Sequence, residues 1–246
     1  MSASTVDASE VEKFEAIARE WWDPLGKFKP LHKFNPVRLA LIRDAACAHF
    51  GRDRFEKKPL AGLALLDIGC GGGLVSEPMA RLGARVTGID AAEGNVKTAT
   101  VHAAQSGLSI DYRHTSGEDL LAAGGGPYDI VLALEIVEHV ADVDLFLKTA
   151  GALVRPGGLL ALSTLNRTAK AAATAVFAAE YILRWLPRGT HDPRKFVKPR
   201  EARRGLEAAG LRVTEERGLT YQPLLDSWRT GDDLSVNYMV FAEKPC

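Results

Sequence analysis

Cysteine is scarce in this chain: Cys47, Cys70 and Cys246 are its only three among 246 residues, with no CxxC spacing. An odd, scattered set supports neither a disulfide framework nor a zinc ribbon. An excess of one charge is also lacking, because 31 Lys and Arg stand against 31 Asp and Glu. No global basic surplus announces a nucleic-acid binder. Long apolar runs are missing too, since none reaches the roughly 18–20 residues needed to span a bilayer. Residues Met1 to Glu12 have neither a basic start nor an apolar centre, so they do not read as a signal peptide. These absences together predict a reduced intracellular compartment. What is present is an ordinary globular balance, 46% hydrophobic and 25% charged, which excludes disorder as the main state. The length allows one large domain or two small ones, and a sizeable core without staples.

The N-terminal part is helical in pattern. Ser9 and Glu12 have capping-box spacing, and Val11, Phe14, Ile17 and Trp21 follow a helical period up to Trp22-Asp23-Pro24. Asn35-Pro36 predicts the start of a second helix reaching about Phe50. From Leu63 the texture changes. Short apolar strands at 64–69, 85–90, 110–114, 128–134 and 159–163 alternate with helices at about 74–82 and 96–106, the pattern of βαβ units and a mostly parallel sheet. A helix over 199–209 and late strands over 211–218 and 235–242, close enough to pair antiparallel, complete the chain. The reading is one α/β domain over 61–246, with residues 1–60 as a helical extension packed on it.

Asp67-Ile68-Gly69-Cys70-Gly71-Gly72-Gly73 falls where the first strand turns into a helix. Ligands of open parallel sheets bind outside the carboxyl ends of the strands, and glycines there let backbone approach closely. Asp90 ends the next strand, 21 residues past Gly69, where an acid can accept hydrogen bonds from ribose hydroxyls. The dinucleotide pattern GxGxxG fails in both frames, which end on Leu74 and Ser76, so a nicotinamide oxidoreductase is disfavoured. An acid two residues before the first glycine suits a cationic ligand with an amino group. S-adenosylmethionine has an ammonium, a sulfonium and a ribose diol, and so fits both Asp67 and Asp90. Cys70, inside the glycines, reads as a small buried residue.

After the fourth strand comes Leu134-Glu135-Ile136-Val137-Glu138-His139. A helical turn would place Glu135, Glu138 and His139 on one face. Two carboxylates and an imidazole there are candidate ligands for a divalent ion, Mg²⁺ before Zn²⁺ or Mn²⁺; an exposed charged first turn is the alternative. A phenol titrates near ~10, so methylation needs either a metal on the oxygen or His139 as base. His32, His49, His102, His114 and His191 lack such company, although His32 and His191 lie in loops that could line the site. No GxSxG pattern supports acyl hydrolysis.

The neutral total hides an uneven distribution. Residues 166–204 hold ten Lys and Arg against three Asp and Glu, so this stretch carries plus seven and the remaining 207 residues minus seven. Within it, Val176, Phe177, Tyr181, Ile182, Leu183, Trp185 and Leu186 form a wide apolar face, with Glu180, Arg184 and Arg188 opposite. Such a helix suits an anionic membrane surface; a helical lid with a basic rim is the plainer reading.

These residues carry a resemblance. From about Phe14 to Met239 the chain closely resembles the bacterial ubiquinone-biosynthesis O-methyltransferases. The resemblance includes Trp21-Trp22-Asp23, Phe28-Lys-Pro-Leu-His32, Asn35-Pro36-x-Arg38, the glycine loop, Glu135-x-x-Glu138-His139-Val140, Ser163-Thr-Leu-Asn166-Arg167, Gly189-Thr-His-Asp192 and Asn237-Tyr238-Met239. It implies a Rossmann-like class I methyltransferase fold: a mostly parallel seven-stranded sheet with an antiparallel last strand and helices on both faces. It implies methyl transfer from S-adenosylmethionine to a 2-polyprenyl-6-hydroxyphenol and to 3-demethylubiquinol. By the same resemblance Arg38, Gly69, Asp90 and Leu134 contact the cofactor, beside Asp67 and Gly71 from the loop reading. Glu135, Glu138 and His139 resemble the metal-binding turn of Mg²⁺-dependent O-methyltransferases. The insertion at about 166–198 resembles a membrane-associating region. That implies a cytoplasmic enzyme held peripherally at the inner membrane, possible contacts with other enzymes of the pathway, and no nucleic acid. The competing functions are an RNA 2′-O-methyltransferase held by the basic insertion, and a non-catalytic nucleoside-binding module.

Overall fold

The computed structural model describes residues 4–173 and 192–246. Strands β1 (Ala64–Ile68), β2 (Arg85–Asp90), β3 (Asp111–His114), β4 (Tyr128–Leu134) and β5 (Val154–Leu165) run parallel in the order β3-β2-β1-β4-β5. Side chains alternate between the two faces, as the period of two requires. On β1, Leu66 and Ile68 join one core layer with Val131, Phe146, Leu147 and Leu206. Leu65 joins the opposite layer with Ile42, Met79, Ile130 and Leu132. Both faces are therefore covered, and truncating a fully buried leucine in either layer costs about 2–5 kcal/mol.

The remaining strands close the sheet. After helix α8 (Pro199–Ala208), β6 (Arg212–Gln222), β7 (Ser227–Gly231) and β8 (Asn237–Glu243) follow. β8 slots antiparallel between β5 and β6, pairing Ser163 with Met239 and Gly218 with Tyr238. The expected antiparallel late pair is therefore present. The sheet has eight strands, one more than the seven expected, because β6 turns back into the short edge strand β7. β7 is brief and polar except for Trp228, whose ring packs on Phe34, so nothing in its sequence period marked it.

Helices α3 (Ser76–Arg81), α4 (Glu93–Gln105), α5 (Gly117–Ala122) and α6 (Val143–Leu153) connect the parallel strands, and Ala169–Ala171 forms a short α7. The N-terminal helices start and stop elsewhere than their sequence signals suggest. Helix α1 (Ala8–Ile17) is capped by Asp7, whose carboxylate accepts from the Ser9 amide at 3.0 Å, in place of a Ser9–Glu12 box. Helix α2 (Lys29–His49) begins with Pro30 in its first turn and runs through Pro36. An internal proline costs about 3 kcal/mol. Burial of Phe34, Ile42, Ala46 and Cys47 against the sheet offsets that cost. Asn35 caps nothing; it is buried, and its side-chain oxygen accepts from the Arg38 guanidinium.

Candidate active site

Parallel strands deliver their carboxyl ends to one edge, and there β1, β2 and β4 open a cavity of about 660 Å³. Asp67, Gly69, Gly71, Asp90, Leu134, Glu135, His139 and Arg38 all line it. Gly69, Gly71 and Gly73 adopt φ of +72°, +52° and +88°, conformations that L side chains rarely take. The loop is held from below by Asp90. One of its oxygens accepts from the Gly71 amide at 2.9 Å; the other accepts from the Ala92 amide at 2.8 Å and the Asn95 side chain at 3.2 Å.

The N-terminal segment lies over this loop. Trp21 packs so tightly on Gly72 that a Cβ there would stand 2.3 Å from its own. The Trp21 indole N–H donates to Asn95 at 2.7 Å, and that of Trp22 donates to the Gly72 carbonyl at 2.8 Å. A connected path thus runs Trp21–Asn95–Asp90–Gly71. Trp21, Asn95 and Trp22 were not singled out as site residues by sequence. The Trp-Trp pair was visible, but nothing local told which backbone it would cover.

Asp67 is fully buried. Its carboxylate accepts from the Ser76 hydroxyl at 2.6 Å, and burial pushes its pKa up to about 6. Cys70 is buried as expected, and burial raises its thiol well above the ordinary range. Of the remaining described histidines, His32 bonds the Trp21 carbonyl at 2.9 Å and His102 meets Glu77 at 2.6 Å, which gives both structural partners. His191 lies outside the described residues.

The acidic turn does not form the single-faced helical turn expected of it. Glu135 takes φ +52°, an unusual conformation for a residue with a Cβ, and only Val137–His139 is a helical turn, of the tighter 3-10 kind. The three side chains diverge. Glu135 accepts from the Ser163 hydroxyl at 2.6 Å and the buried Arg38 guanidinium at 3.3 Å. Glu138 accepts from the Thr164 hydroxyl at 2.8 Å in a fully buried setting, where desolvation and the Glu135 charge raise its pKa. The His139 ring bonds Glu10 from α1, Nδ1 to Oε2 at 2.9 Å, and meets the edge of Phe14. Among the described residues no group of three or more His, Cys, Asp or Glu is arranged to hold a metal ion. The residues expected to ligate Mg²⁺ thus do not fit one as they stand: backbone strain at Glu135 aims its carboxylate at Arg38, whose cation already sits there.

Glu10 is the partner that sequence reading missed. It lies in the first turn of α1, 129 residues from His139 in the chain, and no local pattern links the two. In the fold it is buried, and the bond to His139 together with Lys13 holds its pKa down to about 2 despite desolvation. Burial alone would lower the His139 pKa, but the Glu10 hydrogen bond and the charges of Glu138, Glu10 and Glu135 raise it above the ordinary value.

The sequence pattern described as a methyltransferase domain matches residues 40–216. The ubiquinone biosynthesis O-methyltransferase of Sinorhizobium fredii is 58% identical over 98% of this chain and 97% of its own. Those of Rhizobium etli and Brucella anthropi are each 57% identical with the same coverage. The chain belongs to this O-methyltransferase family. Among solved structures, the N-methyltransferase NodS from Bradyrhizobium japonicum, crystallised with S-adenosyl-l-homocysteine, is similar with a TM-score of 0.61 at 16% identity, covering 97% of this chain and 98% of that one. Magnesium protoporphyrin IX methyltransferase from Synechocystis gives 0.60 at 18% identity, covering 94% and 99%. At such identities these two show the fold alone. The donor set of the methyltransferase suits S-adenosylmethionine: two carboxylates, the backbone of the glycine loop and the apolar Leu134 around one cavity.

Proposed function

We propose that this methyltransferase methylates hydroxyl groups of polyprenylated catechol intermediates in ubiquinone biosynthesis, with His139 as the base. The full-length likeness to relatives of that name carries the reading. The mostly apolar lining of the cavity, with Phe14, Ile136, Val140, Phe146, Leu219 and Trp228, supports an aromatic, prenylated acceptor. Such a wall gives no support to an RNA 2′-hydroxyl, which would bring phosphates and call for cations.

The donor supplies an electrophilic methyl group on a sulfonium. The chain's own residues do the rest. Asp67 attracts the donor's ammonium, Asp90 and the Gly71 backbone bracket its ribose, and Leu134 packs on its base. The apolar wall excludes water. His139 takes the hydroxyl proton as the oxygen bonds to the methyl carbon and the methyl–sulfur bond breaks, the neutral thioether leaving, and Glu10 fixes the imidazole and stabilises the imidazolium that forms. No step is assigned to a metal ion; Arg38 neutralises Glu135 in its stead. The basic stretch of residues 166–204 supports peripheral contact with an anionic membrane, where a polyprenyl acceptor resides.

Catechol methylation by His139→Ala, Glu10→Gln and the parent protein, each with and without exhaustive chelation, tests this reading. Expected are a rate that chelation leaves unchanged, a loss of 10²–10⁴-fold in His139→Ala, and a smaller loss in Glu10→Gln. The parent's kcat/KM should rise with pH to a midpoint above the ordinary histidine value. A rate abolished by chelation and restored by Mg²⁺ would show that Glu135 and Glu138 leave their present partners to bind metal. Label appearing in total RNA alone would overturn the choice of acceptor.

A further inference from the structure

The turn joining β6 to β7 is Pro223-Leu224-Leu225-Asp226, where polar and small residues are the usual occupants. Leu224 is 100% exposed and Leu225 70% exposed. Single exposed leucines are common and need no explanation, but two at one turn are a different matter. The turn is also braced. Asp226 accepts from the Tyr221 hydroxyl and pairs with Lys33 of α2, while the Leu225 amide donates to the Gln222 carbonyl at 3.1 Å. The leucines therefore stand on a supported base.

Their position relates them to the active site. Pro223 of the turn, with Tyr221 and Trp228 on the strands beside it, lines the active-site cavity. So do Lys27 and Pro30, which follow another leucine, Leu25, 81% exposed in the turn before α2. The cavity lining thus reaches the turn through Leu219, Tyr221 and Pro223, and Leu224 and Leu225 follow directly in the chain. Two of the lysines at this rim are paired, Lys27 with Glu20 and Lys33 with Asp226. A contact made here is apolar, unlike one made by the basic stretch of residues 166–204.

We infer that the β6–β7 turn is a second membrane contact: Leu224 and Leu225 enter the acyl region of a bilayer beside the cavity mouth, so that a prenyl tail passes between lipid and the apolar wall. The inference rests on the reading above that the acceptor is lipid-borne. The two contacts divide the work. The basic stretch draws the protein to an anionic surface over a range that salt shortens, and the leucines orient the mouth once it arrives.

The experiment uses the full chain, the double variant Leu224→Ser/Leu225→Ser and the reporter Leu224→Trp. Binding is measured on phosphatidylcholine–phosphatidylglycerol vesicles in 0.5 M salt, which screens the basic contact. Removing each leucine should weaken partition about tenfold. The double variant should also raise KM at least tenfold for a long-tailed catechol presented in vesicles, and keep kcat for a soluble, tail-less catechol. Lipids carrying a quencher in their acyl chains should quench Leu224→Trp. Unchanged vesicle binding and KM in the double variant, or an unquenched reporter, would overturn the inference. So would an altered oligomeric state with vesicle binding intact, since a second copy of the chain would then cover the leucines. Failure of the parent to methylate either catechol would instead refute the functional reading, and the quenching result would still judge the membrane contact.

Discussion

Asp67 shows how one side chain can serve binding at the cost of stability. Its pKa is raised from 3.8 to about 6, so the folded protein favours the protonated acid more than the unfolded chain does. The stability this contributes is present below about pH 4 and is lost as pH rises through about 6. At pH 7 the buried, ionised group costs about 3 kcal/mol. A cationic ligand reverses the preference by stabilising the carboxylate. Asp67→Asn should therefore melt higher than the parent at pH 7 by an amount that shrinks towards pH 4, while binding S-adenosylmethionine about 10- to 100-fold more weakly. Thermal melts at both pH values and calorimetric titration check the two halves. Near pH 6, titrations in buffers of different ionisation enthalpy should show proton release on binding in the parent and less in the variant. Equal affinity in both proteins would remove Asp67 from the ammonium site.

At the scale of elements, the joint between the N-terminal segment and the glycine loop shapes the proposed cofactor site. Trp21 seals Gly71 and Gly72, Glu15 accepts from the Gly94 amide at the start of α4, and Thr5 bonds Glu118. Gly72 has no positive φ, and an alanine there meets the Trp21 side chain first, at its Cβ and then at the indole. Gly72→Ala should displace Trp21, break its bond to Asn95 and loosen the hold on Asp90. The expected result is cofactor affinity lowered about tenfold with a loss of stability of about 1–3 kcal/mol. Tryptophan emission and cofactor titration would report both; an unshifted emission spectrum would mean that the indole does not move. Glu10 belongs to the same segment, so a change made at the loop should reach His139 through α1.

At the scale of the molecule, charge and topology act together. The Val197 amide donates to the Leu165 carbonyl at 3.2 Å, so the chain returns after residues 166–196 to the place it left. Because Leu165 and Val197 are bonded to each other, removing part of the sequence between them need not unpair β5. Residues 174–191, which hold the amphipathic face read from sequence, lie outside the described residues. No helix among the described residues is long and apolar enough to cross a membrane. Vesicle binding by the whole chain should fall several-fold between 0.05 and 0.5 M salt, because the Debye length shrinks from above 10 Å to below it. A form lacking residues 170–190 should lose that salt-dependent part. Co-sedimentation with anionic vesicles decides it, and unchanged binding would take the membrane role away from this stretch.

Much of this was legible in the sequence, and for a physical reason. The alternation of apolar strands with helices, the glycines of the loop and the acid 21 residues on are local patterns, set by backbone sterics and by burial on both faces of a parallel sheet. They determined the parallel core, the antiparallel late pair and the meeting of the glycine loop with Asp90 at one cavity. The boundaries of α1 and α2 were misread, because the local cap at Asp7 displaced Ser9 and tertiary burial overrode the signal at Pro36. Nor was β7, whose only apolar anchor, Trp228, finds its partner Phe34 far away in the chain. Spacing grouped Glu135, Glu138 and His139, but side-chain direction depends on a left-handed turn at Glu135 and on Arg38, Thr164 and Glu10 arriving from other elements. Sequence alone thus determined which chemical groups reach this edge of the sheet. Tertiary structure decided which of them face one another, because long-range packing supplies partners that no local period can encode.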